Sequence, residues 1–435
     1  MAGFFDKLFA LLMNTLDRTT PPQAQRIKHI PVVKPQKLLL SSGLPVYAIH
    51  APEQEILQIS WVFDVGGYDS ALPAQSLYAV KMLAEGTKQK TAQEINEAID
   101  EFGAFLDLQS DADQTNITLY TPARYADNTI PIIAELLFEA SFPENEWQIF
   151  LLKQQKDLAV NLQKTAFLAS RAFTEILFKN HPYGKVISPE LLADYPKNEV
   201  INFYKNFLLK NPFCIYLTGN FPDNTLQILD KYFSPLSLEP QTKPTFELKN
   251  TTEKVFIEKN DSLQNSLCVG KLTIGRNHAD YTKLNVCSTI LGGYFGSRLM
   301  QNIREEKGLT YGIYSTLRNM RWATYFVIGA DVRAEAYKLA LQEIYKEIQL
   351  LQQEKVSEAE LEKVKNYMAG SLANELTNAN AQMHLQSIIH LQNLPENYYE
   401  EFLERLYAVS SEDVLAVAQK YLDSSQMLEV VAGKK

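Results

Sequence analysis

The feature that most constrains the fold is a series of elements that occurs twice. Ile303-Arg304-Glu305-Glu306-Lys307-Gly308-Leu309-Thr310-Tyr311 matches Ile99–Leu106, with Gly308 lying 205 residues after Gly103. Val356-Ser357-Glu358-Ala359-Glu360-Leu361 follows Phe142-Pro143-Glu144-Asn145-Glu146-Trp147 at an offset of 214. Lys197-Asn198-Glu199-Val200, with the apolar run Cys214–Gly219 after it, is matched by Ser411-Glu412-Asp413-Val414 and Leu428–Gly433, again at 214. One order of elements at a nearly constant offset reads as an internal duplication of about 200 residues. A unit of that size can close its own apolar core.

Each unit predicts the same layers. Short alternating strands (Leu57–Asp64, Phe105–Leu108, Thr115–Thr121) are interspersed with helices near 75–85, 127–140, 144–162, 165–179 and 197–209. Thr91-Ala92-Gln93-Glu94 has the cap-and-glutamate spacing that opens a helix. The fold class is therefore α+β: two duplicated halves, each a mostly antiparallel sheet with helices packed on one face. The boundaries read as an arm over 1–35, a first domain over 36–221, a Pro-containing linker over 222–252 with one short helix, and a second domain over 253–435.

Composition narrows the function. With a net charge of −9 the chain has no general basic surface for nucleic acid or anionic membrane. Cys214, Cys268 and Cys287 are isolated among apolar residues, which argues against a disulfide framework and against a cysteine metal site. Buried free thiols fit a cytoplasmic location; a periplasmic or organellar one stays open. No apolar run is long enough to span a bilayer. Residues 1–12, with Phe4, Phe5, Leu8 and Leu12 at helical spacing, lack the basic start and cleavage site of a signal peptide. They read as an extension or as a weak docking helix.

The helix Ser76-Leu77-Tyr78-Ala79-Val80-Lys81-Met82-Leu83-Ala84-Glu85-Gly86-Thr87 follows a strand and a Gly66-Gly67 turn. This arrangement resembles the opening of the pitrilysin/insulinase family of zinc peptidases. There the helix carries an inverted zinc motif, H-x-x-E-H, directly before a segment like Met82–Thr87. Here the motif positions are Leu77, Tyr78, Ala79, Val80 and Lys81, and the family's spacing puts the third ligand at Asp157. Leu77 and Val80 can neither ligate nor take a proton, and Lys81 puts a cation where the metal would sit. The reading is that this chain holds no metal, with Leu77 and Val80 as core residues. The six histidines form no i, i+4 pair, and His181, in a His-Pro-Tyr-Gly turn, reads as a structural hydrogen-bonding residue.

The second half keeps more. Leu291-Gly292-Gly293-Tyr294-Phe295-Gly296-Ser297-Arg298-Leu299, followed by Asn302–Gly312, is closely similar to the family's C-terminal-domain signature. The resemblance implies that Arg304 grips a peptide and that Tyr311 stabilises an oxyanion, both acting on a zinc site held by another subunit. Gly292, Gly293 and Gly296 occupy the place of a substrate-binding glycine loop. The implied protein is the non-catalytic subunit of a heterodimeric zinc endopeptidase, similar to that of the mitochondrial processing peptidase. Its expected partners are a homologous catalytic subunit with an intact H-x-x-E-H, which would carry the zinc, and a peptide substrate. A catalytically inactive scaffold or core protein, or a peptide-binding homodimer, is the alternative. Tyr311 in the sheet core and Arg304 paired with a helix carboxylate would be the purely structural arrangement.

Overall fold

A computed structural model describes residues 25–211, 213–234 and 243–435. The expectations for residues 1–12 fall outside them. The first sheet has six strands: β1 (Gln36–Leu39), β2 (Pro45–His50), β3 (Ile56–Phe63), β4 (Phe105–Ser110), β5 (Thr115–Pro122) and β6 (Phe213–Gly219), in the order β1-β2-β6-β3-β5-β4. The second has five: β7 (Lys254–Glu258), β8 (Gln264–Thr273), β9 (Thr310–Asn319), β10 (Thr324–Arg333) and β11 (Leu428–Gly433), in the order β7-β11-β8-β10-β9. Without β1, the two orders are the same series. In each sheet one pairing is parallel, β2 with β6 and β7 with β11, and the rest are antiparallel.

Local chemistry accounts for several boundaries. Thr91 and Glu94 form a reciprocal capping box that starts the helix Ala92–Asp100. Gly43, at φ 84°, turns β1 into β2. The first sheet packs against helices that include Gln75–Lys81 and Ala126–Glu139, in a core built around Trp61, Phe63, Leu119, Ile133 and Phe203. The second sheet packs on Tyr281–Ser288, Tyr337–Gln353 and Ser411–Tyr421 in an equivalent core.

Each sheet also carries one helix on its other face, and that helix comes from the opposite half. Thr165–Leu177 packs on β8 and β11, with Ala169, Phe173 and Leu177 against Cys268, Val430 and Ala432. Gly270 makes room for it: a Cβ there would lie 3.0 Å from the Phe173 ring and 2.1 Å from a backbone oxygen of Phe326. Ala379–Leu391 packs on β2 and β6, where His390 Nδ1 sits 2.7 Å from the Tyr216 hydroxyl. The expectation of helices on one face is thus incomplete. Periodicity shows that a helix has an apolar side but not which sheet that side covers.

Two segments belong elsewhere than their sequence suggests. The helix Thr225–Phe233, read as part of the linker, buries Leu229 and Phe233 in the first core. Residues 26–33 of the N-terminal arm lie along the second half instead. Ile30 is buried in its core, and Arg26 makes two hydrogen bonds to Glu362. The halves also meet at their hairpin tips. Asp113, beside the β4–β5 turn, accepts hydrogen bonds from the Tyr183 hydroxyl and from the Arg321 backbone N–H at the β9–β10 tip, the latter at 2.9 Å.

Candidate functional site

The helix Gln75–Lys81 starts from Ala74 in a left-handed conformation. Gln75 braces the turn: its side-chain oxygen accepts from Ala71 and Leu72, and its amide donates to the Glu199 carbonyl at 2.6 Å. After Glu85 the chain turns at Gly86, where a Cβ would meet Pro143 at 2.7 Å. Tyr78, Ala79 and Val80 are buried, so the position of the family's glutamate is closed by core packing. Leu77 is half-buried, and with Lys81 and Glu85 it lines a cavity of about 390 Å³ against Glu146, Phe150 and Lys153 of the helix Glu144–Asn161.

Asp157 does not line this cavity; it is exposed, and Lys153 and Gln154, about one turn earlier, face the space instead. Lys81 and Lys153 share the cavity with Glu85 and Glu146. Burial, and then the charge of Glu146, raises Glu85 above the ordinary carboxylate value. Zinc does not fit this set, because a leucine and an ammonium group stand where the two imidazoles would be needed, and a second ammonium group, that of Lys153, lines the same cavity. Among the described residues no group of three or more His, Cys, Asp or Glu could hold a metal. His181 is buried with Nδ1 accepting the Tyr183 N–H, and burial lowers its pKa to about 4.

The second half presents different chemistry. The helix Tyr281–Ser288 widens into a π-type turn over Thr289–Gly293. Gly292 is buried, and a Cβ on it would lie 2.5 Å from the Ser315 backbone nitrogen. The Ser315 hydroxyl donates to the Ser288 carbonyl at 2.6 Å, which ties this turn to β9. The close approach that Gly292 permits is therefore to a strand of the same chain. Gly293 is exposed, and Gly296 lies under the Tyr294 ring. Arg298 makes a bidentate pair with Glu360 at 2.9 and 2.8 Å, which holds the end of the loop.

A second π-type segment, Met300–Glu306, carries Arg304. Its guanidinium lies 4.4 Å from the centroid of Phe295 and 5.4 Å from that of Tyr311, and its Nε is 3.5 Å from Glu305. Tyr311 is 89% exposed and Phe295 64%. The arrangement with Tyr311 in the sheet core does not occur. β9 is an edge strand, and its pairing with β10 is irregular where Tyr311 and Gly312 face Asp331. Such a bulge re-aims side chains, and here the phenol ends up in solvent. Arg304, Tyr311 and the exposed part of the glycine loop thus form one group. That group shares no hydrogen bond, ion pair or ring contact with Leu77, Lys81 or Asp157 among the described residues. Phe295 had no assigned role in the sequence; a large aromatic set between Gly293 and Gly296 was the signal for it.

Residues 194–368 match the family described as "Peptidase M16 inactive domain". The chain is 24% identical over 362 residues to the "Uncharacterized zinc protease YmxG" of Bacillus subtilis (strain 168), covering 81% of this chain and 86% of that one. It is also 24% identical over 370 residues to the "Non-peptidase homolog YmxG" of Helicobacter pylori, covering 82% and 83%. A solved structure described as a peptidase M16 inactive domain from Pseudomonas fluorescens superposes with a TM-score of 0.84 at 24% identity, over 93% of this chain and 99% of that one. Over residues 194–368 the chain is thus similar to the inactive domain of M16 peptidases, and over most of its length to M16-type relatives. This is the relationship that the empty helix and the C-terminal signature pointed to. The chain has two open sheets with helices, and among its described residues no helix is long and apolar enough to cross a membrane.

Proposed function

We propose that this M16 homologue is the non-catalytic subunit of a heterodimeric zinc endopeptidase. Arg304 and Tyr311 complete a zinc site held by a homologous partner whose helix keeps H-x-x-E-H. The observation that supports this is the exposed Tyr311 beside a stacked guanidinium. A purely structural tyrosine would be buried, whereas Tyr311 is exposed; Arg304 is half-buried and reaches the carboxylate of Glu305 while stacking on the Tyr311 ring. An outward phenol O–H with a guanidinium beside it is suited to meet negative charge that develops on a peptide held from outside. Zinc in the partner would supply the activated water; this chain's residues grip the peptide and stabilise the oxyanion. The exposed edge of β9 and the outer glycines of the loop complete the peptide-facing surface.

The scaffold reading has its own support in the relative named a non-peptidase homologue. The peptide-binding homodimer needs the same surface with no partner zinc. One experiment separates the three. The chain is purified alone and then mixed with a homologous subunit that carries the intact motif. The expected result is no stoichiometric zinc and no cleavage from the chain alone, and a stable heterodimer by light scattering with peptidase activity above that of the partner. A chain that stays separate at micromolar concentration, or a pair no more active than the partner, removes the proposed role.

A further inference from the structure

A cavity of about 560 Å³ lies where three parts of the chain meet: the stretch 272–278 from the end of β8, the β9–β10 tip at 320–324, and the connecting residues Leu248 and Asn250. It shares no lining residue with the cavity beside Lys81. Its wall contains two guanidinium groups, Arg276 and Arg321, and the imidazole of His278. Among the described residues that line it there is no carboxylate, in a chain whose net charge is −9.

These cations are only partly satisfied. Arg321 reaches the Asp64 carboxylate through Nη1. Arg276 Nη1 donates to the Tyr399 hydroxyl at 2.7 Å, and the groups that raise its pKa are tyrosines rather than acids. The Nε hydrogens of both arginines and the Thr273 hydroxyl have no partner among the described residues. His278 Nδ1 accepts the Asp280 N–H at 3.0 Å, which leaves Nε2–H as the donor of the neutral ring. Beside these donors, Trp322 is 41% exposed and Met320 adds a second apolar surface. A half-buried cation without a carboxylate partner is costly unless an anion joins it. A cavity whose wall holds two guanidinium groups, an imidazole and an indole matches a compact anion on an apolar group.

We propose that this cavity binds a small organic anion, a carboxylate or phosphate carried on an aromatic or aliphatic group. Arg276 and His278 hold the anionic end, and Trp322 lies against the apolar part. The site is independent of the heterodimer reading and needs no partner.

The full chain is titrated by calorimetry with N-acetyl-tryptophan, its uncharged amide, phenyl phosphate and inorganic phosphate. The acid or the phosphate ester binds, with the affinity falling as salt rises, and the amide binds at least about tenfold more weakly. Preference for the acid identifies a carboxylate ligand, and preference for the ester a phosphate ligand. Arg276→Gln lowers anion affinity by about tenfold or more, with folding checked by circular dichroism. If Arg276→Gln does not fold, Trp322→Ala serves: its hydrogen bond to Tyr183 comes from the backbone and is kept, and the substitution removes ring contacts with Tyr68 and Arg321. It weakens the aromatic anions and leaves inorganic phosphate unchanged. Equal binding of acid and amide, or no binding of any anion up to about 10 mM, overturns the proposal, as does affinity unchanged in a folded Arg276→Gln.

Discussion

The cavity beside Lys81 and the surface around Arg304 stand in the two halves of one repeated architecture, and they differ in a telling way. The first has filled in. Val80 is core, Leu77 is half-buried, and two lysines and two glutamates line the cavity together. The second has stayed open. Tyr311 and Phe295 are exposed on either side of a guanidinium, and among the described residues Glu305 is the carboxylate that pairs with it. Residues freed from chemistry drift toward packing and charge balance. An exposed aromatic pair around an arginine is not what packing alone would keep, because it leaves apolar surface in water. The exposed aromatic rings and the guanidinium between them lie in the second half, with no counterpart beside Lys81 among the described residues.

The largest expected effect lies at Tyr311. In a reconstituted heterodimer, Tyr311→Phe keeps the ring and removes the donor, so kcat falls by about a hundredfold to a thousandfold with assembly unchanged by size-exclusion chromatography. Unchanged kcat and KM would reduce the second-half surface to the same structural status as the first. Next comes Arg304→Ala. It raises KM by about tenfold to a hundredfold with a smaller change in kcat, since a guanidinium that grips substrate acts in the ground state and the transition state alike. A loss of stability with KM unaffected would make Arg304 a packing residue.

Gly292→Ala tests the inner part of the loop. Its Cβ would press on the Ser315 backbone, so urea denaturation is expected to show a loss of about 1–3 kcal/mol. A neutral result would mean that the π-type turn can relax away from β9.

The smallest effect is on the filled side. Glu85 is held above its ordinary value of 4.5 by burial and by Glu146. Its ionised form is thus disfavoured in the folded state, and the protein loses stability as pH rises from 4.5 toward the raised value. Glu85→Gln removes that penalty. Thermal melts of the variant should lie slightly above those of the wild type near neutral pH and converge with them as pH falls toward 4.5. Melts that are lower at neutral pH would show that Glu85 is held by an attraction to Lys81 or Lys153 that outweighs its burial.

Much of this contrast could be read before any coordinates. The absence of histidine and glutamate from positions 77–81 needs only the alphabet, and no fold can make a ligand of Leu77. The repeat offsets anticipated the order of elements in each half, because strands and capped helices are set by local periodicity and by caps such as Thr91 with Glu94. The count that led to Asp157 gives a place in the chain but not what the side chain faces, and Asp157 is exposed, outside the cavity beside Lys81. Phe295 was in view as a letter but not as a partner of Arg304, because a ring contact across a loop has no periodicity.

What the sequence determined by itself was therefore local or compositional: the α+β elements, the repeated series, the missing ligands and the glycines of the second half. The tertiary structure alone decided the exchange of Thr165–Leu177 and Ala379–Leu391 between the sheets. It alone turned Tyr311 outward at an edge-strand irregularity, and it alone gathered Arg276, His278 and Trp322 around one cavity. Those arrangements depend on contacts between residues far apart in the chain. Each is chosen by the packing of whole sheets and helices, a property that no short window of sequence contains.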